Sequence, residues 1–122
     1  MKSIKNNCIN INGEDFFFHN IKDIDSIYYY KDYNDCAEKI IRLDIKCCLY
    51  NQSNAINVVI KFENVSKVHF GENFIACFGL DIEDMLNLGW SNDIRYHITD
   101  HEADTFDFYC QEIKVVFNGI EY

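Results

Sequence analysis

From Ala37 to Tyr50, the apolar residues Ile41, Leu43, Ile45, Cys47 and Leu49 alternate with Arg42, Asp44, Lys46 and Cys48. A period of two sends successive side chains to opposite faces of a strand, so the segment predicts a long strand with one wet face. Past the break at Asn51-Gln52-Ser53-Asn54, Ile56, Val58, Ile60 and Phe62 alternate with Asn57, Val59, Lys61 and Glu63 in the same way. Together the two segments predict a hairpin. Upstream, Ser3 to Ile11 reads as a weaker first strand, and Asn12-Gly13 as a turn because both residues tolerate positive φ. Ile24 to Lys31 reads as a further strand, closed by the turn-rich Asp32-Tyr33-Asn34-Asp35.

Downstream, Val65 to Phe70 predicts a short strand, Gly71-Glu72-Asn73 a break, and Phe74 to Ile82 another strand, while Glu83 to Leu88 could instead form one helical turn. A loop through Trp90 follows. Ile94, Tyr96 and Ile98 then alternate with Arg95, His97 and Thr99, and Asp100 to Asp104 reads as a polar turn. Phe106, Phe108 and Cys110 share one phase, but Ile113, Val115 and Phe117 resume it after an odd-numbered shift, which predicts a bulge or bend near Gln111-Glu112. About eight strands with short connections imply an all-β fold, a mainly antiparallel sandwich or open barrel with at most one short helix. A single β-rich domain over residues 1–122 is expected.

Composition narrows the partners. The net charge of −9 opposes binding to a phosphate backbone, whose affinity comes from Lys and Arg, so nucleic acid is not expected as a partner. The same charge attracts cationic macromolecules. No apolar run approaches the roughly 18 to 20 residues that cross a bilayer, so no membrane association is expected. Asn10, Asn12, Glu14 and Asp15 interrupt any signal-like stretch after the basic start, which predicts a cytoplasmic protein. The six cysteines include no Cys-x-x-Cys pair, so they are expected as mostly buried, reduced thiols rather than zinc ligands or a disulfide framework, with Cys47 and Cys48 on opposite faces.

Catalytic chemistry finds little support. The glycines Gly13, Gly71, Gly79, Gly89 and Gly119 are scattered, which excludes a phosphate-cradling loop. His97 and His101, with Asp100, Glu102 and Asp104, could in principle hold a hydrated cation, but on a strand running into a turn that spacing separates the rings, and no metal site is assigned. His19 and His69 stand isolated. Asp81 with Glu83, or Asp104 with Asp107, could be drafted as an acid–base pair, yet twenty acidic residues make such pairs common by chance. Cys110 has no cationic neighbour to activate it. No catalytic residue and no cofactor are predicted, and the chain reads as a non-enzyme.

Binding chemistry is easier to place. In Ile27-Tyr28-Tyr29-Tyr30 the period of two sets Tyr29 opposite Tyr28 and Tyr30, so at least one tyrosine reaches the surface. Tyr and Trp favour binding hot spots. Trp90 is either an anchor of this kind or a plug for the open end of the fold. Asp81, Glu83 and Asp84 form one acidic cluster, and Asp100, Glu102, Asp104 and Asp107 a second. If they meet, they make a negative patch beside Trp90 that suits a basic partner such as a nuclease.

Several segments resemble the small bacterial immunity proteins that accompany polymorphic and contact-dependent toxins. Phe18-His19-Asn20 with Ile24-Asp25-Ser26-Ile27 is similar to a start in that group, where Asn20 stands in place of an Asp. A long amphipathic hairpin, Ile60-Lys61-Phe62-Glu63-Asn64-Val65, a strand from Phe74-Ile75 to Leu80-Asp81-Ile82, and Phe106-Asp107-Phe108-Tyr109-Cys110 complete a likeness over residues 16–117. The resemblance implies a non-enzymatic role, binding one cognate toxin in the cytosol and covering a functional surface, and it identifies no interface residues. Charge and aromatic placement supply the candidates: Asp81, Glu83, Asp84, Asp100, Glu102 and Asp104 for steering, and Trp90 for anchoring. Two other readings stay open, a small ligand held between the sheets and a homo-oligomer joined through a sheet edge.

Overall fold

The computed structural model describes residues 4, 6–71, 79–86, 94–100 and 106–122. At Asn12 and Gly13, φ values of 52° and 85° give the left-handed pair that a tight hairpin turn requires. The turn joins β1 (Cys8–Ile11) to β2 (Glu14–Phe17) in a two-stranded ribbon. Next come β3 (Ile21–Tyr33), β4 (Lys39–Tyr50) and β5 (Ala55–Glu63), an antiparallel meander whose alternation sets Leu49 opposite Ile56 and Leu43 opposite Phe62. The expected hairpin is therefore present in register.

β10 (Glu112–Phe117) and β11 (Ile120–Glu121) extend the meander into a five-stranded sheet, ordered β11-β10-β5-β4-β3. A four-stranded sheet, ordered β6-β9-β8-β7, is built from β6 (Ser66–Phe70), β7 (Leu80–Asp84), β8 (Tyr96–Asp100) and β9 (Phe106–Cys110). All pairings are antiparallel. Among the described residues there is no α-helix, and no helix long and apolar enough to cross a membrane.

Eleven strands are described where about eight are expected. β2 and β11 are too short to show a period of their own, and the run from Thr105 to Phe117 divides into two strands. Glu83 and Asp84 finish β7 rather than opening a helical turn. Of the expected Phe74–Ile82 strand, residues 74–78 lie outside the described residues, as does the loop through Trp90.

The predicted bend is where the chain changes sheets. β9 ends at Cys110 and β10 begins at Glu112, so Gln111 alone carries the backbone from the four-stranded to the five-stranded sheet. β5 and β6 make the same passage through Asn64, at φ 56°, and Val65. Asn64 Nδ2 donates to Gln111 Oε1 at 3.4 Å, and the Gln111 N–H to the Glu63 carbonyl at 2.9 Å, which ties the two corners together. The odd shift in hydrophobic phase keeps Phe106, Phe108 and Cys110, and then Ile113 and Val115, facing one core.

That core lies between the sheets. Phe62 of β5 meets Phe108 of β9 edge to face at 5.0 Å, and Phe70 of β6 meets Phe106 at 5.4 Å. Leu43, Ile45, Leu49 and Ile60 from one side, with Leu80 and Ile98 from the other, are fully enclosed, and Phe16 and Phe18 of the ribbon region join them. Cys77 lies outside the described residues; among those described, Cys47 and Cys110 are buried, Cys8 and Cys48 half-buried and Cys36 exposed on the β3–β4 turn, fewer enclosed thiols than the pattern suggests. Burial pushes the Cys110 thiol well above its ordinary pKa, which keeps it protonated and inert.

On the outer face of the five-stranded sheet, Arg42 Nη1 donates to Glu63 Oε1 at 2.6 Å while Arg42 Nε lies 2.8 Å from Asp32, and Lys114 Nζ lies 3.3 Å from Glu63. Burial pushes the Glu63 carboxyl upward, but the bond from Arg42 and the attraction of Arg42 and Lys114 outweigh it and hold the carboxyl below its usual range. A carboxyl depressed in the folded state adds stability above its unfolded pKa, and this is lost as pH falls through the folded value. Acid titration of the unfolding free energy is therefore expected to fall below about pH 5, and Glu63→Gln should flatten that slope. An unchanged slope in the variant would remove Glu63 from the acid response.

Candidate functional site

Leu80 and Ile82, Tyr96 and Ile98, and Phe106, Phe108 and Cys110 face the core, so alternation turns Asp81, Glu83, His97, Thr99, Asp107 and Tyr109 outward. Cross-strand pairing arranges them in two rows. Glu83, His97 and Tyr109 are opposite one another in the first, and Asp81, Thr99 and Asp107 in the second. His97 Nε2 lies 2.8 Å from Asp107 Oδ1, and the His97 ring stacks on Tyr109 at 4.3 Å and 7°. Lys67 Nζ sits 5.6 Å from the centre of the Tyr109 ring. The result is a polar face that carries the carboxylates of Asp81, Glu83 and Asp107 around the His97–Tyr109 stack.

One margin is pinned by Asn7. Its Nδ2 donates to the Leu80 carbonyl at 2.7 Å and to Asp81 Oδ1 at 3.4 Å, while its Oδ1 accepts from the Ile82 N–H at 2.8 Å. The side chain thus imitates a neighbouring strand along β7 and helps to fix Asp81.

Of the residues chosen from sequence, Asp81 and Glu83 share this face, and Asp107 joins them. Asp84 lies at the end of β7, where it accepts from Arg95 Nη2 at 3.2 Å and from the Leu86 N–H at 3.0 Å. Burial pushes its carboxyl up, and those bonds outweigh burial and hold it below the usual range. Asp100 is not in a turn: it is the last residue of β8, opposite Leu80, and only 6% exposed. Trp90, His101, Glu102 and Asp104 lie outside the described residues. Among the described residues no three His, Cys, Asp or Glu side chains gather as metal ligands.

A second surface follows β3. Tyr28 and Tyr30 stand opposite Asp44 and Arg42 on the outer face of the five-stranded sheet, whereas Tyr29 is opposite Leu43 and meets Phe70 edge-on at 6.1 Å. The expected division of the three tyrosines is present. Tyr28, Tyr29 and Tyr33 are 67%, 53% and 64% exposed. Burial and a bond from the Tyr30 hydroxyl to Asp44 Oδ2, 3.0 Å long, push that hydroxyl above its ordinary pKa.

Two open grooves mark the described surface. One, of about 560 Å³, lies at the sheet bend and is lined by Arg42, Glu63, Arg95, Gln111, Glu112 and Lys114 among others. The other, of about 610 Å³, lies by the Asn51–Asn54 turn. Both are lined mainly by polar and charged side chains rather than by the inward faces of the sheets.

A family model described as Immunity protein PIM8 matches residues 16–116. The chain belongs to this immunity-protein family. The match runs from Phe16 in β2 to Val116 in β10 and so takes in the four-stranded sheet, the five-stranded sheet apart from β11, the acidic face and the tyrosines of β3. Families of this kind are typically non-catalytic inhibitors, and membership implies a cognate toxin as partner. No curated protein and no solved structure matches the chain. In this PIM8 protein the two acidic clusters read from the sequence meet in part, through Asp107 of the second beside Asp81 and Glu83 of the first, whereas the exposed Tyr33 falls in the stretch that the sequence pattern gives to a turn. Asp107 enters the acidic face only through the β7-β8-β9 order, and Tyr33 continues the alternation of Tyr29 and Lys31 past the position assigned to a turn.

Proposed function

We propose that this PIM8 family member binds and neutralises one cognate toxin domain of basic character in the cytoplasm. The observation that carries the reading is the outward group of Asp81, Glu83 and Asp107, drawn from two adjacent cross-strand rows of a sheet whose other face is packed on the core. Fixed carboxylates on a rigid support steer a cationic partner without an ordering cost at encounter. A nuclease fits this partner, because a cleft that holds phosphate is itself positive. Asp81 and Glu83 act in steering, Glu102 and Asp104 extend the negative field, and Trp90 anchors. Asp84 and Asp100 contribute through the ends of β7 and β8 that they help to hold.

Co-expression with the toxin domain encoded beside this gene tests the function, and restored growth is the expected result. Persistent killing despite soluble expression of this chain would overturn it. For the site, Asp81→Asn with Glu83→Gln should slow association several-fold at low salt, with little change in dissociation, and the difference should vanish at high ionic strength. Trp90→Ala should instead weaken the complex by about tenfold or more through faster dissociation. Retained affinity would remove Trp90 from the interface.

A further inference from the structure

β3 lies at one margin of the five-stranded sheet, and among the described residues no strand pairs with its outer side. Such a margin offers a row of unpaired backbone N–H and C=O groups, which proteins ordinarily blunt with bulges, charges or short strands. A bulge interrupts β3 at one end only, and Lys31 and Asp32 are the only charged residues from Ser26 to Tyr33. The register slips between Lys22 and Ser26, where Asp23 adopts a φ of 55°. From Ser26 to Tyr33 the pairing with β4 is unbroken for eight residues.

Over that stretch exposed tyrosines occupy both faces, with Tyr28 and Tyr30 on one and Tyr29 and Tyr33 on the other. A partner pressed onto one face of the sheet would cover only half of them. A partner that continues the sheet covers all of them, because its side chains alternate above and below as those of β3 do. We infer that the free margin of Ser26–Tyr33 is a strand-docking site, occupied by an extended segment of the cognate toxin that pairs beside β3. This rests on the immunity reading and adds to it the mode of binding.

Charge selects the occupant. Asp32 and Asp44 flank Tyr30 on the outer face, and Asp32 stays 47% exposed beside its ion pair with Arg42. A toxin strand with Arg or Lys on that face can place its cation over Tyr28 or Tyr30 and beside these carboxylates, with apolar residues on the other face against Tyr29 and Tyr33. A second copy fits poorly, since it would bring another chain of net charge −9 to the same margin.

The test is amide hydrogen exchange on the complex with the inactivated toxin domain encoded beside this gene, read together with affinities of Tyr28→Ala and Tyr33→Ala. Alternate amides of Ser26–Tyr33, those not bonded to β4, should gain at least about tenfold protection on binding, and each variant should weaken the complex by about tenfold or more. A complex of full affinity in both variants, with the β3 amides unprotected, would overturn strand docking and leave the immunity reading intact. Failure of the wild-type chain to bind that toxin would overturn both. Protection that rises with the concentration of this chain alone would identify a second copy as the occupant and overturn the toxin assignment.

Discussion

Alanine at Phe62 is expected to destabilise the protein by about 3–5 kcal/mol, read as a lower urea midpoint at unchanged slope. The ring is fully buried, β5 is held between β4 and β10 with Leu43 and Ile113 opposite it, and across the core it meets Phe108 edge to face. A vacancy there has walls on both sheets. Because β5 is hydrogen-bonded on both sides, neither wall can close without breaking ladder pairing, so the upper part of the range is expected. Against a typical total of about 5–15 kcal/mol, such a loss leaves little margin. Phe62→Leu should cost clearly less, because it keeps most of the volume. A deficit under about 1 kcal/mol in the alanine variant would mean that the two sheets do not share this ring.

Gly79→Ala is expected to cost about 3 kcal/mol or more, for a different reason. A Cβ at Gly79 would lie 2.3 Å from the carbonyl oxygen of His19, 2.7 Å from its carbonyl carbon and 2.8 Å from its Cα. All three are backbone atoms, so no side chain can rotate away. The adjacent Leu80 N–H donates to the Phe18 carbonyl at 2.8 Å, which fixes the two chains at this separation. Relief requires β7 to retreat from the end of the β1–β2 ribbon, and Asp81 and Glu83 would move with it. Gly13→Ala is the contrasting control. Nothing lies within 4 Å of its Cβ position, and only its φ of 85° penalises the change, at about 1–2 kcal/mol. Equal stability losses at the two glycines in thermal unfolding would sink the close-approach explanation.

The hairpin of β4 and β5 is legible because both strands are long, alternate without interruption and are separated by the polar Asn51–Asn54 break. The corner at Gln111 is legible for a related reason: the step of three from Cys110 to Ile113 breaks the period of two, and a bulge or bend is what keeps both apolar series on one core. β2 and β11, of four and two residues, give no periodic signal, and their pairing depends on turns at Asn12-Gly13 and Asn118-Gly119.

The candidate surfaces divide in the same way. That Asp81 and Glu83 share a face follows from their spacing, whereas Asp107 joins them only because β8 separates β7 from β9, a long-range fact. Tyr96, Ile98 and Asp100 share one phase, so the burial of Asp100 is foretold by extending the strand a single residue, while the count of acidic residues points the other way. The ion pair of Asp84 with Arg95 and the marginal position of β3 depend on sheet order, which no local pattern encodes.

The crossings at Asn64–Val65 and at Gln111 also have a mechanical side. Two covalent straps run side by side from one layer to the other, laced by the Asn64–Gln111 and Gln111–Glu63 bonds. A pull on the carboxylate-bearing layer is carried into the tyrosine-bearing layer by peptide bonds, which do not creep or slip as packed side chains do. Prying the layers apart therefore loads this spine last, after the hydrogen bonds of Phe18 and Asn7 that tie β7 to the end of the β1–β2 ribbon leading into β3 have parted.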